Sequence, residues 1–535
     1  MTAMKTLDWT IVIAFLVANL VLGAVLGRRV SSAREYILGS QSTPWWAIGI
    51  SVVATYVSAL SFLGAPAWAY SDGLSALAIH LNYPLVIFAV ITLFLPFFYN
   101  SGVASIYEYQ ERRFGPASRS VMSSIFLLTQ ALTTGAILYA TALVLDFVSG
   151  IGILPSILLI TVVALIYTAL GGMLAVIWTD VFQAVVLFTG ALVIGGVLLA
   201  NLPAPLTEVL AGLKAQGRLN VAVTDLDVTR STTIWSGVIA MTLFHMTVYG
   251  ANQMMVQRTL GARTIGGAKK AYLLMGFAAV PIYCLFFFVG VLCFAFYRGR
   301  TFENPNEIIL NFAAQAGIPG LVGILSAAVL AASMSTLSSA FNSLATVSMV
   351  DFWQRYVRPD MADAAALRLT RWFTIGWAVL IVFPALLYAG SQGSILETLS
   401  KVGSFFVGAK LGMYALGFFS KHTTEKGLLV GVVAGFAALW YVASYTDIAW
   451  PWYCAIGGGV NMLVGWLASL LMTGRQAEWH PLTVMGQRQQ FARGGDRTDA
   501  DGWSRVPGKV DRVSWWLPVY FLALLLALKS LEWAS

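Results

Sequence analysis

The chain has 535 residues and a formal net charge of +8, but only 10% of its residues are charged, against about 25% in ordinary soluble proteins, and 58% are hydrophobic. So little charge excludes a soluble enzyme, a disordered regulator and a secreted disulfide scaffold, and leaves an all-α integral membrane protein, since 31 Phe and 18 Trp weigh against a polar-lumen barrel. The basic residues lie between hydrophobic runs rather than on one folded face, so no nucleic-acid partner is expected.

Leu7 to Gly27 is a run of spanning length with no basic stretch before it and no small-residue cleavage site after it, hence a span and not a signal peptide. Further apolar runs begin near Trp45, Leu74, Val121, Ile153, Val181, Thr233, Ala271, Leu321, Trp372, Ile395, Gly427, Trp450 and Ser514, each able to cover about 30 Å of hydrocarbon. About fourteen crossings in one polytopic domain are therefore expected, the longest connections being Leu202 to Thr232 and Thr473 to Val513. Alternate loops hold most of the basic residues: Arg28, Arg29 and Arg34, then Arg112, Arg113 and Arg119, then Arg258, Arg263, Lys269 and Lys270, with further groups after the ninth, eleventh and thirteenth spans. The opposite side has Lys5, Lys214, Arg218, Arg230, Arg298, Arg300 and Lys529. Cytoplasmic loops carry the excess, so the chain is placed in the cell's inner (plasma) membrane with both termini outside. The cysteines Cys284, Cys293 and Cys454 sit in apolar segments without metal-ligand spacing and read as small buried hydrophobes.

Three spans carry polar groups at membrane depth. In the second, a hydroxyl-rich stretch from Ala54 to Ser61 precedes Gly64 and Pro66, and Pro66 should leave the Phe62 carbonyl without its helical donor. Unwound carbonyls there can coordinate a cation; the plainer reading is a proline kink satisfied by a neighbour. Asp180 opens the sixth span with no Lys or Arg within a helical turn, so it reads either as a helix N-cap at the interface or as a carboxylate answered by a bound cation. In the ninth, Ala332, Ser335 and Thr336 share one helical face and Ser338 and Ser339 continue it a turn further. Such an oxygen-rich face suits a hard cation, although a lone hydroxyl in a membrane helix more often bonds back to its own backbone.

Taken together, these segments resemble the sodium/solute symporter family, in a bacterial-type member. The likeness runs from Trp45-Trp46-Ala47-Ile48-Gly49 through Tyr107-Glu108-Tyr109, Arg113-Phe114, the Gly171-Gly172 to Gln183 stretch, Asn252-Gln253 and Val256-Gln257-Arg258 to the Ser/Thr face. The resemblance implies a five-plus-five inverted-repeat core, as in leucine-type transporters, with one helix before it (7–27) and three after (427–533). The repeats then occupy 45–201 and 233–419. It implies a Na⁺ site from the backbone oxygens of Ala54, Val57 and Ala332 and the hydroxyls of Ser335 and Thr336, and a second Na⁺ site from Asp180 with Ser335, Ser338 and Ser339. The substrate cavity would be lined by Tyr56, Ser58, Ser61, His245, Tyr249 and Asn252.

Galactose carriers of the family hold Glu and Gln where Leu60 and Ser61 stand, and sialic acid carriers place an Arg where Thr133 stands. The Tyr107 and Ile137-Leu138-Tyr139 neighbourhoods are most similar to the iodide, monocarboxylate and vitamin branch. The expectation is a Na⁺-coupled symporter of a small organic anion, monocarboxylate-like or sialic-acid-like, acting as a monomer. The alternatives are a sugar or other neutral solute, and a membrane sensor built on the same core; a sensor would append a signalling domain, whereas this chain ends at Ser535 just after its last span. An enzyme is not expected, because His80, His245, His422 and His480 are scattered and form no metalloprotease-type pair. Lys410 reads as a functional candidate or as a lysine snorkelling to the inner interface of a helix that already pairs Glu397 with Lys401.

Overall fold

The computed structural model describes residues 4–27, 32–39, 43–103, 105–389, 395–473 and 478–534, with side chains excepted at 395–399, 473 and 531–534. Glu397, expected to pair with Lys401, and the loop residues Arg28, Arg29 and Arg475 lie outside what is described. Among the described residues the named elements are all helical, and eleven helices are long and apolar enough to cross a membrane.

Helix α1 spans Thr6–Gly27 and α2 spans Trp45–Tyr56. After α2 the chain opens. Val57 takes φ −79 and ψ 85. The Ser58 N–H, which in a continuous helix would reach the Ala54 carbonyl, bonds that of Tyr56 at 3.0 Å; the Ser61 N–H bonds Ser58 at 3.0 Å rather than Val57. A π-helical stretch, Leu60–Gly64, then runs on into α3, Ala65–Asp72, which carries Pro66 as its second residue. The unwinding expected in this hydroxyl-rich stretch thus falls at Val57 and Ser58, upstream of the proline, while the backbone through Phe62 stays helical. The run expected from Leu74 is a 3₁₀ segment, Gly73–His80, and the helix that follows starts only at Tyr83.

Helix α4 spans Pro116–Ser149. Helix α5, Ile153–Ala200, has 48 residues and would run about 72 Å if straight, more than twice the hydrocarbon thickness. It turns at Gly172, whose φ of 53 and ψ of −150 are non-helical; a Cβ there would also sit 2.6 Å from the Tyr36 carbonyl oxygen. The helix resumes at Met173, so Asp180 lies two turns inside it, fully buried, and the N-cap reading is corrected.

Another broken segment consists of a π-helical turn, Ser236–Ala240, α6 at Met241–Gly250 and α7 at Gln253–Leu260. Between them Ala251 and Asn252 leave helical geometry, and the Asn252 side chain accepts the Met254 N–H at 3.0 Å as the N-cap of α7. Then follow α8 (Ile265–Phe296), α9 (Leu321–Val347), α10 (Asp363–Leu387, starting ahead of the Trp372 expected), α11 (Ile395–Phe419), α12 (Glu425–Tyr445), α13 (Tyr453–Thr473) and α14 (Trp516–Ala534).

Helix α9 is buried on every face along nearly its whole length, against α1, α2, α4 and α5. A helix covered all round forms the centre of a bundle. Helix α10 instead exposes Val379, Phe383 and Leu387 in one stripe, an apolar face suited to lipid.

Candidate functional site

The unwound end of α2 lies against the hydroxyl face of α9. Thr336 Oγ1 donates to the Thr55 carbonyl at 2.9 Å and to that of Ala332 at 3.3 Å. The opening at Val57 and Ser58 is what withdraws the helical donors from the Ala54 and Val57 carbonyls. Of the carbonyls expected around an ion, that of Ala332 meets the Thr336 hydroxyl directly, and those of Ala54 and Val57 belong to the residues on either side of the Thr55–Tyr56 pair, whose Thr55 carbonyl also accepts from Thr336. The fifth, Ser335, faces one side further round: its hydroxyl donates to Asp180 Oδ1 at 2.6 Å.

Asp180 gathers the second cluster. Ser51 Oγ donates to its Oδ2 at 2.5 Å and Thr55 Oγ1 at 3.3 Å. Thr55 also meets Ser339 at 3.3 Å, while Ser338 donates to the Ser335 carbonyl at 3.0 Å. The counter-charge comes from the other broken segment. Arg258 Nη2 lies 3.6 Å from Asp180 Oδ2 and donates to the Ser339 hydroxyl, while Nη1 donates to the Met254 carbonyl at 2.7 Å. Both partners are completely buried. No Lys or Arg stands within a helical turn of Asp180 in sequence, but α7 delivers Arg258 to it, so the carboxylate has a protein counter-charge without a bound cation. A carboxylate at this depth costs several kcal/mol unpaired, and the guanidinium offsets that cost.

Beside Thr55 and Thr336 opens a cavity of about 160 Å³. Of the residues expected to line it, Tyr56, Ser58, Ser61, His245 and Asn252 do so; Tyr249 is buried behind, its ring 4.9 Å from that of Tyr56. The wall also includes Thr129, Gln130 and Thr133 from α4, which sequence reasoning did not single out as lining. His80 joins it too. Its ring stacks on Tyr283 at 3.7 Å and lies 6.0 Å from that of His245, so two of the histidines that look scattered along the chain meet here.

The imidazole of His245 has a defined hydrogen pattern. Asn82 spends both amide hydrogens on the carbonyls of Ile79 and Gly237, at 2.9 and 2.8 Å, so its oxygen accepts from His245 Nδ1 at 2.8 Å. In the neutral ring this leaves Nε2 as an acceptor. Lys410 completes the wall: it is 3% exposed, and its Nζ lies 5.5 Å from the Phe126 ring. The snorkelling reading is corrected by that burial.

The profile described as "SSF: Sodium:solute symporter family" matches residues 36–435. The chain belongs to the sodium:solute symporter family. It is 31% identical to the sodium/sialic acid symporter of Aliivibrio fischeri, over 87% of this chain and 93% of that one. It is 29% identical to the mouse sodium-coupled monocarboxylate transporter 2, over 78% of this chain and 69% of that one, and 31% identical to the human sodium/iodide cotransporter, over 77% and 65%. Among solved structures, a Na⁺-coupled sialic acid symporter in a substrate-bound outward-open state superposes with a TM-score of 0.82 at 25% identity, over 88% of this chain and 99% of that one. A nucleobase-cation-symport-1 family transporter shares the fold at a TM-score of 0.56 and 13% identity, over 83% and 96%. The chain is thus a multi-pass, sodium-coupled solute symporter, in a family of transporters rather than enzymes.

Proposed function

We propose that this symporter imports a small organic anion by alternating access, with Na⁺ held where α2 unwinds against α9. The observation that carries the reading is the loss of the helical donors to the Ala54 and Val57 carbonyls in the same stretch whose Thr55 carbonyl accepts from the Thr336 hydroxyl. Oxygen atoms released from helical bonding inside a bundle are ligands for a hard cation. With Ala332 and Ser335 they make five oxygen donors.

Thr55 and Thr336 touch both this cluster and the cavity, so an ion that fixes the end of α2 also shapes the substrate wall. Coupling is then reciprocal, with about 1 to 3 kcal/mol typical. One Na⁺ moving down about 100 mV supplies about 2.3 kcal/mol. A second ion would use Asp180, Ser335, Ser338 and Ser339, and would have to draw Asp180 and Ser339 away from Arg258.

Anionic cargo is favoured by the relatives, which by name carry monocarboxylate, sialic acid and iodide. It is also favoured by the two half-helices that start at the cavity-lining residues Ser58 and Asn252, since helix N-terminal ends carry partial positive charge. Those two breaks fall at corresponding places, early in 45–201 and early in 233–419, as a five-plus-five inverted repeat requires. Fourteen crossings would follow if each broken segment and the helical stretch Tyr83–Ser101 count as one and α5 as two.

The test is uptake into proteoliposomes under an inward Na⁺ gradient, with a panel of labelled anions and sugars. Gradient-dependent accumulation of a carboxylate, at least about tenfold lower in Thr336→Ala, is expected; accumulation of sugars alone would make the cargo neutral.

A further inference from the structure

The cavity contains one full positive charge that the ion cluster does not use. Helix α11 turns its glycine face away: a Cβ at Gly408 would meet the Cys454 carbonyl of α13 at 3.1 Å, and one at Gly412 would lie 2.4 Å from Asn461 Nδ2. That packing sends Ser400, Gly403, Val407 and Lys410, a single helical stripe at i, i+3, i+7 and i+10, into the cavity. Lys410 is held there by the close fit of α11 on α13. The ion pairs found among the described residues do not include it.

A buried ammonium without a carboxylate costs several kcal/mol. The Phe126 ring answers only part of that by cation–π attraction. The other polar groups of the wall are largely committed. Ser61 meets the Tyr283 hydroxyl at 3.0 Å, Gln130 donates to Thr134 at 3.2 Å, and His245 offers an acceptor. None of these is a charged donor.

The wall also carries Ser58, His80, Thr129, Thr133 and Asn252, and beside these polar groups it presents an apolar portion formed by Ile137, Met241, Phe244, Val248, Met255 and Val407. The cavity volume of about 160 Å³ matches the roughly 150 Å³ at which a protein cavity holds benzene.

We infer that Lys410 is the carboxylate anchor of this symporter, and that the cargo is a monocarboxylate on a compact, largely apolar body of about one ring. The inference rests on the Na⁺-symport reading above and names the substrate class of that same cavity. Lys410 Nζ pairs with the carboxylate, and the hydrocarbon body lies among the methionine and aromatic side chains. The volume of about 160 Å³ favours such a compact body over a bulky polyhydroxylated acid.

The experiment uses purified full-length protein in proteoliposomes, with labelled propionate, lactate, benzoate and phenylacetate as probes and benzamide as the neutral isostere of benzoate. Wild type should accumulate at least one of the carboxylates with Na⁺ and not benzamide. Lys410→Met should raise the KM for that carboxylate at least tenfold, and Lys410→Arg should recover most of it. ²²Na⁺ binding without substrate is measured in parallel and should be the same in wild type and Lys410→Met, which also shows that the variant is folded. If Lys410→Met binds ²²Na⁺ but takes up the carboxylate like wild type, or if wild type binds ²²Na⁺ but accumulates none of the four carboxylates, the anchor assignment is overturned. Absence of ²²Na⁺ binding in wild type would instead overturn the symport reading itself.

Discussion

Asp180 shows how much of a membrane site is visible one residue at a time. Its isolation from basic residues in sequence marks it as functional, but the partner comes from α7, and no local spacing announces Arg258. The hydroxyl face of α9 was legible because helical periodicity alone aligns Ser335, Thr336 and Ser339. Lys410 was half legible: its type and depth marked it, but only the packing of Gly408 and Gly412 on α13 decides which way it points. The Asp180 and Arg258 pair carries a stability prediction. Removing one member of a buried pair leaves the other uncompensated, at about 3 to 5 kcal/mol, while removing both is far cheaper. Asp180→Ala should therefore lower the melting temperature in detergent more than the Asp180→Ala, Arg258→Met double variant. It should also lower the Hill coefficient for Na⁺ towards one, with residual uptake, if a second ion visits this carboxylate.

At the scale of elements, the break in the second span was foreseen, but the proline pointed downstream of it, and only the family resemblance pointed to Ala54 and Val57. A proline advertises a missing N–H, but a π-helical turn can absorb it, and the chain opened instead beside Ser58, where the Thr336 hydroxyl takes over the Thr55 carbonyl. The break at Ala251 and Asn252 carries no proline and left little trace in the sequence beyond Asn252 itself. A polar connection on the basic side of the bundle was also illegible, since its members lie in three separate segments. In it, Arg119 of α4 reaches Glu111 and Asp351 at 2.7 Å each, Arg355 Nε donates to Glu111 at 2.6 Å, and Ser105 donates to Asp351 at 2.8 Å. Glu111 lies outside the spans, on the short helix Ile106–Arg113. Partial burial pushes its carboxyl up, but the hydrogen bonds and charges of Arg355 and Arg119 outweigh this and hold it below the usual glutamate value. A depressed acid contributes stability in full above its unfolded value, about 4.3, and loses it as pH falls through the lower folded value. The difference in melting temperature between wild type and Glu111→Gln should accordingly be constant from pH 5 to 8 and shrink only below about pH 4.3. A difference that faded between pH 7 and 5 would show that the network does not hold Glu111 ionised.

For the whole molecule, composition fixed the membrane class and the distribution of arginines supplied an orientation, because both are sums over many residues and tolerate local error. The five-plus-five repeat proposed for the core was not readable in the sequence, since its support lies in the two backbone breaks rather than in matching side chains. Orientation is open to a direct check. In a chain lacking Cys284, Cys293 and Cys454, Ala215→Cys should react with an impermeant maleimide on intact cells, and Arg358→Cys only after permeabilisation. The opposite pattern would invert the topology.

The claim on which the transport reading depends is that α2 and α9 together hold Na⁺. Equilibrium ²²Na⁺ binding to purified wild type, Thr336→Ala and Thr336→Ser tests it most directly. Saturable binding is expected in wild type, weakened at least about tenfold in Thr336→Ala, equivalent to about 1.4 kcal/mol, and largely kept in Thr336→Ser, which retains the hydroxyl. Equal Na⁺ affinity in all three proteins would contradict it.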